Sequence, residues 1–491
     1  MYLGIDLGTS SVKMLLLSPD SSVLGESRSP LTVQRPKMLY SEQNPEDWWQ
    51  ATKQAILQLS PKLRKGVTHI GLTGQMHGAV LLDRESKSLR PAMLWDDGRA
   101  VCECAEIAKQ VPDHQAITAN LIMPGFTAPK VLWVKKHEPA IFQKTARVLL
   151  PKDYLRYLLT GTFATDMSDA SGTSWLNISK RSWSPKMLSA CGLSEKQMPE
   201  LFEGPDLTGT LLPNVANALG LSKKALVIAG GSDNATSGLS VGCLFEGTAF
   251  LSLGTSGVLF TAKDTAQSLP QEGIHTYCHA VPGKWHQMSV HLSSASCFSF
   301  LEKIFSTSID ALLEEATTPT DHSTIFLPYL SGERTPHNDP YAKGVFFGLS
   351  NKTTRGDLVQ SVMEGTAFAC KNGQDALLRA GAKMGVIHLL GGGVKSRSWL
   401  NVIASVLQKP LYIHKQAHFG AAYGAAKLAR FSALGGSLEE AFPQGSSYEA
   451  LRPNQKHQTY YQKKEALFNA LYPALKDLFS ERRIEGWTKE T

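Results

Sequence analysis

Short apolar runs that end in glycine-rich turns recur along the chain and predict strands whose ends carry polar residues. Residues 6–13 read DLGTSSVK between the apolar runs 2–5 and 14–17, and residues 252–259 read SLGTSGVL in a similar apolar setting. Each copy predicts a strand, a tight turn and a second strand. Because the copies lie about half a chain apart, the pattern predicts two similar lobes.

The two turns have the chemistry of an anion site. Glycine lets the backbone approach a ligand closely, and turn N–H groups with Thr or Ser hydroxyls supply donors. Phosphate is the expected guest, although a single Gly-Thr-Ser sequence more often marks an ordinary hairpin. The first copy offers a carboxylate, Asp6, and a cation, Lys13, where a residue-by-residue comparison places Ser252 and Leu259 in the second.

Three further apolar runs lead into turns with candidate functional residues. The turns read QMHG at 75–78, GGSDN at 230–234 and GGGVKS at 391–396. In open α/β sheets, ligands bind beyond the carboxyl ends of the strands, so all three are candidate binding segments. The alternatives are a hairpin with a surface histidine for the first turn and a helix-capping aspartate for the second.

Residues 94–99 read LWDDGR and combine an aromatic ring, two acids and an arginine. A polyol needs this mixture, because its hydroxyls bond to Arg and Asp while a ring packs against its carbon face. A structural Asp–Arg salt bridge near a turn is the alternative.

Two helical segments carry distinctive signals. Asn44 precedes a proline and two acids, which predicts a capped helix start. Residues 420–426 read GAAYGAA, and these small residues favour close contact with another helix.

Composition excludes several classes of protein. The length of 491 residues predicts two large domains, and 42% hydrophobic with 19% charged residues is typical of a globular protein. The net charge of +7 contains no run of basic residues that would bind nucleic acid. The seven cysteines form no Cys-x-x-Cys pair, and no signal peptide or membrane-spanning stretch is visible. We therefore expect reduced thiols, no membrane partner and a cytoplasmic location.

Taken together, these segments resemble the FGGY carbohydrate kinases over nearly the whole chain. The matching segments are residues 6–13, 75–78, 95–99, 125–137, 230–234, 253–258, 344–364 and 391–396. The resemblance implies an α/β fold of two actin-like ATPase (ribonuclease H-like) domains with an interdomain cleft, at 1–245 and 246–491. It also implies transfer of the ATP γ-phosphate to a sugar hydroxyl with Mg²⁺, with small molecules as the substrates and a homodimer as an open alternative to the monomer.

The resemblance assigns roles to individual residues. Asp233 would be the general base, and Asp6 would lie near magnesium and the phosphates. The implied nucleotide contacts are Ser10, Ser11, Lys13, Thr255, Gly392 and Ser396. The implied sugar contacts are Met76, His77, Asp233, Asn234, Trp95 and Arg99.

The two residues after Gln75 distinguish branches of the family. Met-His at this place resembles the branch that phosphorylates D-xylulose at its terminal hydroxyl, whereas glycerol kinases resemble Arg-Glu. Kinases for ribulose, fuculose or deoxy-xylulose are rivals, as is a non-catalytic sugar sensor or filament former of the same fold. The sequence departs from the family at Ser232, where a third glycine is common, and at Asn401 and Ser405 in the helix expected beside the adenosine.

Overall fold

The computed structural model describes residues 1–316, 323–443 and 448–479, and it contains two seven-stranded mixed sheets. Across the N-terminal sheet the strands are Leu207–Thr210, Leu226–Ile228, His69–Gly74, Tyr2–Leu7, Ser11–Leu17 and Val23–Pro30, with Gly231–Ser232 also paired to His69–Gly74. Across the C-terminal sheet they are His275–Cys278, Trp285–His291, Gly257–Lys263, Gly247–Leu253, Met384–Leu390, Leu411–His414 and Tyr448–Leu451.

The two sheets share one topology. In the first, Tyr2–Leu7 pairs antiparallel with the strand after it and parallel with His69–Gly74. In the second, Gly247–Leu253 pairs antiparallel with the strand after it and parallel with Met384–Leu390. Each sheet therefore combines an antiparallel meander with two parallel strands, which confirms the predicted repetition of one lobe.

Helices and short ribbons cover these sheets. The first half contains helices Pro45–Gln58, Pro61–Lys65, Val101–Gln110, His114–Thr118, Thr127–His137, Pro139–Lys144, Pro151–Thr160, Met167–Ser171, Pro185–Ala190, Pro213–Leu219 and Asp233–Ser240. The second half contains Ser296–Phe305, Ile309–Glu315, Arg355–Arg379, Arg397–Leu407, Gly420–Leu434, Leu438–Ala441 and Gln458–Leu475. The short paired strands are Glu42–Gln43 with Ala92–Met93, Val80–Leu82 with Arg147–Leu149, Ala164–Asp166 with Glu200–Phe202, Leu176–Asn177 with Ser182–Trp183, and Ile325–Leu327 with Val345–Phe347.

Local sequence accounts for the first long helix. The Asn44 side chain accepts a hydrogen bond from the Glu46 N–H at 3.2 Å, and Pro45 is the first helical residue. Both features were predicted, and they fix where the helix begins. Trp48 is completely buried in the core of the N-terminal lobe, whereas Trp49 is half-buried.

The helix Gly420–Leu434, called here the crossing helix, comes from the second half of the chain but packs against the N-terminal sheet. Glycines bring its backbone close to the backbone of its neighbours, as Gly4 and Gly424 show. A Cβ atom at Gly4 would lie 2.0 Å from the Ala422 carbonyl oxygen, and one at Gly424 would lie 1.8 Å from that of Thr236. The prediction of a small-residue helix in close contact with another helix is confirmed, since Thr236 belongs to the helix Asp233–Ser240.

Replacing Gly424 with alanine is expected to destabilise the fold by about 3 kcal/mol or more, because the new Cβ overlaps backbone atoms that cannot yield without separating two helices. Alanine favours a helix over glycine by about 1 kcal/mol, so a loss of stability in this variant has to come from the close contact and not from helix propensity. Urea unfolding measures it, with Gly385→Ala as control, because a Cβ there meets only ordinary contacts. Equal unfolding midpoints for the two variants would contradict the expectation.

No helix within these described ranges is long and apolar enough to cross a membrane.

Candidate functional site

The two predicted phosphate loops lie at equivalent hairpins, but they differ in length. The first, residues 8–11, joins the paired residues Leu7 and Val12, whereas the second, residues 254–256, joins Leu253 and Gly257. The second loop is therefore one residue shorter. Asp6 faces Lys13 across its hairpin, but Ser252 faces Val258, so the residue-by-residue equivalence of Lys13 with Leu259 does not hold in the structure.

The predicted nucleotide residues of the two loops differ in exposure. Ser10, Lys13 and Thr255 are exposed, whereas Ser11 is buried at the start of its strand. The Thr255 carbonyl accepts a hydrogen bond from the Ser294 N–H at 2.9 Å. This bond fixes the second loop against the segment that leads into the helix Ser296–Phe305.

The triple glycine lies directly beside the second phosphate loop. Gly391 has φ +88°, and a Cβ there would lie 2.7 Å from the Leu253 carbonyl oxygen. Only glycine tolerates both conditions. Gly392 is exposed and faces open space, and the Ser396 hydroxyl caps the helix Arg397–Leu407 by accepting from the Trp399 N–H at 3.4 Å. The chain thus brings together two segments that the sequence analysis assigned to the nucleotide.

Asp233 is the first residue of its helix, and Ser232 is the N-cap residue. The aspartate therefore does not occupy the capping position that was the alternative to a catalytic role. Its carboxylate accepts from the Asn234 backbone N–H at 2.7 Å and from the Asn234 side-chain amide at 3.1 Å. The preceding turn passes close to a neighbouring strand, because a Cβ at Gly230, φ +78°, would lie 1.9 Å from the Leu72 carbonyl oxygen.

The pKa values of both Asp6 and Asp233 are raised, and the charge of Asp6 acts on Asp233. Burial raises the pKa of Asp233 to about 7, and the negative charge of Asp6 is the next largest cause. Burial also raises the pKa of Asp6, to about 6, against the opposing charge of Lys13. Two carboxylates whose proton affinities are raised in this way sit near the pH at which a general base works well.

His77 is held in one orientation at the turn after the strand His69–Gly74. Its backbone has φ +68°, and its ring stacks on Phe126 with centroids 4.5 Å apart. The ring Nδ1 lies 2.7 Å from the Gly172 carbonyl oxygen, which can only accept, so Nδ1 carries the proton. Burial lowers the pKa of His77 to about 3, so the ring is neutral and its Nε2 is a hydrogen-bond acceptor. Met76 beside it is buried.

A partly buried hydrogen-bond network joins the turn at residues 75–78 to the first of the predicted phosphate loops. The Thr9 hydroxyl donates to Gln75 Oε1 at 3.1 Å and accepts from the Trp95 indole N–H at 3.1 Å. Gln43 donates to the Thr9 carbonyl at 2.7 Å and accepts from Gln75 Nε2 at 3.2 Å. Trp95 was predicted as a sugar contact and Thr9 as part of a phosphate loop. Gln43 was not predicted, because a glutamine in the two-residue strand Glu42–Gln43 carries no distinctive signal.

Arg99 forms a structural salt bridge of the kind that the sequence analysis gave as the alternative to a sugar contact. Its guanidinium bonds to the Asp97 carboxylate at 2.6–3.1 Å and to Glu42 at 2.7 Å, and it stacks 3.4 Å above the Tyr40 ring. The side chain is almost fully buried. A sugar contact for Arg99 stays a prediction, and the observed partners give this residue a role in holding the segment that carries Trp95.

The second half of the chain also contributes side chains around His77, which the sequence analysis missed. The Tyr277 ring lies 6.2 Å from the His77 ring, and His275 stacks on Tyr277 with centroids 5.7 Å apart. Burial is the main cause that lowers the pKa of both histidines, and the positive charge of Arg334 lowers it further, for His77 after that of Lys130. The polar sequence GERTP at 332–336 was the available signal for this loop, but nothing local in it indicated a partner about 250 residues away.

The two unusual residues of the predicted adenosine helix have structural partners. The Ser405 hydroxyl donates to the Asn401 carbonyl at 2.7 Å and accepts from the Asn454 N–H at 3.0 Å. Both residues line a cavity of about 310 Å³ with Gln360 and Tyr461.

Two like sheets, each with a glycine-containing loop at its central hairpin, define the actin-like ATPase fold. Asp6, Asp233 and the neutral His77 lie at the ends of adjacent strands of the first sheet, and these groups suit a hydroxyl substrate. Residues 1–240 match the N-terminal domain of the FGGY family of carbohydrate kinases, and residues 249–433 match its C-terminal domain. The chain belongs to the FGGY family of carbohydrate kinases.

Individual relatives narrow the similarity. The chain is 46% identical to the xylulose kinase of Escherichia coli over 485 residues, which cover 98% of this chain and 100% of that protein. It is 36% identical to the xylulose kinase of Bacillus subtilis, with 97% of each chain covered. The crystal structure of a xyloylose kinase from Brucella ovis superposes with a TM-score of 0.93 at 43% identity, over 97% of this chain and 99% of that one.

Proposed function

We propose that this chain transfers the γ-phosphate of ATP to the terminal hydroxyl of D-xylulose, which gives D-xylulose 5-phosphate and ADP. The observation that carries the proposal is the grouping of Asp233, Asp6 and the Met76–His77 turn at the ends of adjacent strands of one sheet. The full-length similarity to proteins named xylulose kinase supports the choice of sugar.

Asp233 acts as the general base in this proposal. Its carboxylate takes the proton of the sugar hydroxyl while the hydroxyl oxygen bonds to the γ-phosphorus. The bond from that phosphorus to the bridging oxygen of ADP breaks, and ADP leaves with the electron pair. Phosphoryl transfer depends mainly on positioning and charge neutralisation, so a base of modest strength suffices.

The sugar lies against the turn that carries His77. The neutral ring offers Nε2 as an acceptor for one sugar hydroxyl, and Gly172 fixes the orientation of that ring. Asn234 and Asp233 offer further polar contacts, and the buried Met76 offers an apolar surface. The bond from the Trp95 indole N–H to Thr9 fixes the ring for contact with the sugar.

The nucleotide lies between the two phosphate loops. Ser10, Ser11 and Lys13 face the phosphates from the first lobe and Thr255 from the second, while Gly392 and Ser396 lie beside the adenosine. The proximity of the triple glycine to Leu253 supports this arrangement, because one nucleotide can then contact both segments. The lobes correspond to residues 1–245 and 246–491, except that the crossing helix packs against the N-terminal sheet. Closure of the cleft between the lobes excludes water.

The residues present fit a magnesium ion. In the part of the chain that the structure describes, no group of three or more His, Cys, Asp or Glu side chains is arranged to hold a metal. Magnesium at kinase sites typically takes one or two carboxylates and completes its shell with water and substrate phosphates. Asp6 would hold such an ion near Asp233, and the ion would neutralise the phosphate charge.

Seven free cysteines support a reducing cytoplasm as the location.

Coupled ADP release tests the proposal directly. The assay uses magnesium ATP and compares D-xylulose with L-ribulose, glycerol and no sugar. We expect release that depends strongly on D-xylulose. ADP release with another sugar alone would support a kinase activity with a substrate other than D-xylulose. ADP release without sugar, or no ADP release under any condition, would favour the non-catalytic rival.

The pH dependence gives a separate prediction. The specificity constant kcat/KM for the sugar should fall about tenfold per unit just below the pKa of Asp233, which is about 7, because only the ionised carboxylate accepts the proton. Below the pKa of Asp6, about 6, the fall should become steeper, because the proposed magnesium ligand is protonated as well. His77, with its pKa lowered to about 3, adds no further limb near neutrality. Initial rates between about pH 5 and pH 9 measure the profile. A flat profile from an enzyme that stays folded across this range would contradict the assignment.

A further inference from the structure

Five charged side chains lie completely buried behind the turn that leads to Asp233. We call this set, Lys152, Asp153, Arg156, Asp166 and Asp169, the buried charge network; each is 0% exposed. Lys152 Nζ lies 2.6 Å from Asp153, 2.8 Å from Asp166 and 3.2 Å from Asp169. Arg156 contacts Asp153 at 3.3 Å. Bulk solvent does not reach these side chains, so their charges depend chiefly on one another.

The network reaches the backbone on both sides of the catalytic turn. Arg156 donates to the carbonyl of Ile228 at 2.9 Å and to that of Ala229. These carbonyls end the strand Leu226–Ile228 and begin the turn that leads to Asp233. Arg156 therefore fixes the chain where it enters the turn.

A second connection fixes the chain where it leaves the turn. Asp166 accepts from the backbone N–H and the hydroxyl of Ser168, the N–H at 2.7 Å. The same hydroxyl accepts from the N–H of Ser232 at 2.9 Å. Ser232 is buried and directly precedes Asp233, so two hydrogen bonds lead from the Asp166 carboxylate to the residue before the base.

The charges of the network balance when one acid is protonated. Two cations face three carboxylic acids, and burial together with the neighbouring acids Asp153 and Asp166 raises the pKa of Asp169 well above its usual range. With Asp169 neutral, the remaining two carboxylates match Lys152 and Arg156. Buried ion pairs contribute little net stability compared with apolar packing, and the best-attested reason for their retention is that they specify one geometry.

We propose that Ser168 and Asp166, supported by Lys152, are positioning residues that hold the Asp233 carboxylate at the acceptor hydroxyl through the N–H of Ser232. This inference rests on the proposed role of Asp233 as the base. It adds residues outside the proposed sugar and nucleotide contacts, whose effect appears in kcat because they place the base and do not bind sugar or ATP. A displacement of an ångström at a reacting group is sufficient to slow a reaction substantially.

Ser168→Ala tests the proposal with a minimal change, because it removes one hydroxyl and leaves every charge in place. We expect kcat to fall about tenfold with KM for sugar and ATP within about twofold of wild type, since a buried N–H loses its partner. The matched control is Thr165→Val. Thr165 is equally buried, adjoins Asp166, and its hydroxyl has no hydrogen-bond partner among the described residues. The control should keep the wild-type kcat.

Hydrogen–deuterium exchange of the full-length protein gives a readout that does not depend on activity. Peptides that cover residues 228–236 should exchange faster in Ser168→Ala than in wild type or Thr165→Val, while other segments stay unchanged. Faster local exchange with reduced kcat and unchanged KM supports the proposal. Wild-type kcat in Ser168→Ala, or an equal loss in Thr165→Val, would overturn it.

The acids of the network give a second comparison. Asp169→Asn should keep kcat within about threefold, because an amide resembles the protonated acid, whereas Asp166→Asn should lose at least as much kcat as Ser168→Ala. Wild-type kcat in Asp166→Asn would remove this residue from the proposal. Asp233→Asn in the same assay separates the two hypotheses: if it retains turnover, the base assignment fails, while the exchange measurement still decides whether Ser168 holds the turn.

Discussion

Asp233→Asn is expected to lower turnover with D-xylulose by about 10²- to 10⁴-fold, the usual scale for loss of a general base. The amide preserves the size of the side chain and its position at the start of the helix Asp233–Ser240, but it cannot accept the hydroxyl proton. Asp233 is assigned to the sugar hydroxyl and is none of the proposed nucleotide contacts, so ATP affinity should change little. Coupled ADP release gives turnover, and equilibrium binding of a fluorescent nucleotide gives the affinity.

The loss of turnover is expected without a loss of stability. The folded state binds a proton at Asp233 more tightly than the unfolded chain, because burial raises the pKa to about 7. The ionised carboxylate therefore opposes folding above this pH, and stability falls as pH rises from the unfolded pKa towards 7. The melting temperature of Asp233→Asn at about pH 8 should equal or exceed that of wild type. Asp310→Asn, which removes an acid from the first turn of another helix, is the control. Near-wild-type turnover in Asp233→Asn would contradict the base assignment.

The duplicated architecture was predictable from sequence because both hairpins retain the same local signals. Apolar runs that end in Gly-Thr-Ser specify strand, turn and strand without any long-range information, and both sheets are built around them. The one-residue difference between the loops was not predictable, since the second hairpin closes with Gly257 paired to Leu253, whereas the first closes one position later, with Val12 paired to Leu7. Strand register depends on pairing partners, which a local sequence does not contain.

The sequence placed candidate groups at strand ends, but it did not reveal which of them bind one another. Arg99 looks like a sugar ligand in isolation, yet Asp97 and Glu42 occupy its guanidinium. Met76 and His77 were predicted from resemblance, whereas their neighbour Tyr277 comes from a strand of the other sheet. Such contacts join residues far apart in the chain and are decided by packing between lobes. For the same reason, the sequence of the crossing helix indicated close packing but did not identify the N-terminal sheet as the surface that it packs against.

Asp6→Asn is expected to raise the Mg²⁺ concentration for half-maximal activity by about 10- to 100-fold, the usual scale for weakened support of a metal site. Asp6 is a buried carboxylate beside the first phosphate loop. The paired strands of that hairpin carry no other acidic residue that could replace its negative charge. Titration of magnesium at fixed ATP measures the change. Asp20→Asn is the control, because Asp20 is an exposed carboxylate in the next hairpin turn.

The same variant is expected to move the acid limb of kcat/KM towards lower pH, in addition to weakening magnesium binding. The charge of Asp6 is the second largest cause of the raised pKa of Asp233, and asparagine removes it. Burial still raises this pKa, so the limb should move only part of the way towards the ordinary range of an aspartate. An enzyme that needs more magnesium but works at lower pH is hard to explain by general damage to the fold. An unmoved acid limb together with an unchanged magnesium requirement would show that Asp6 acts on neither the metal nor the base.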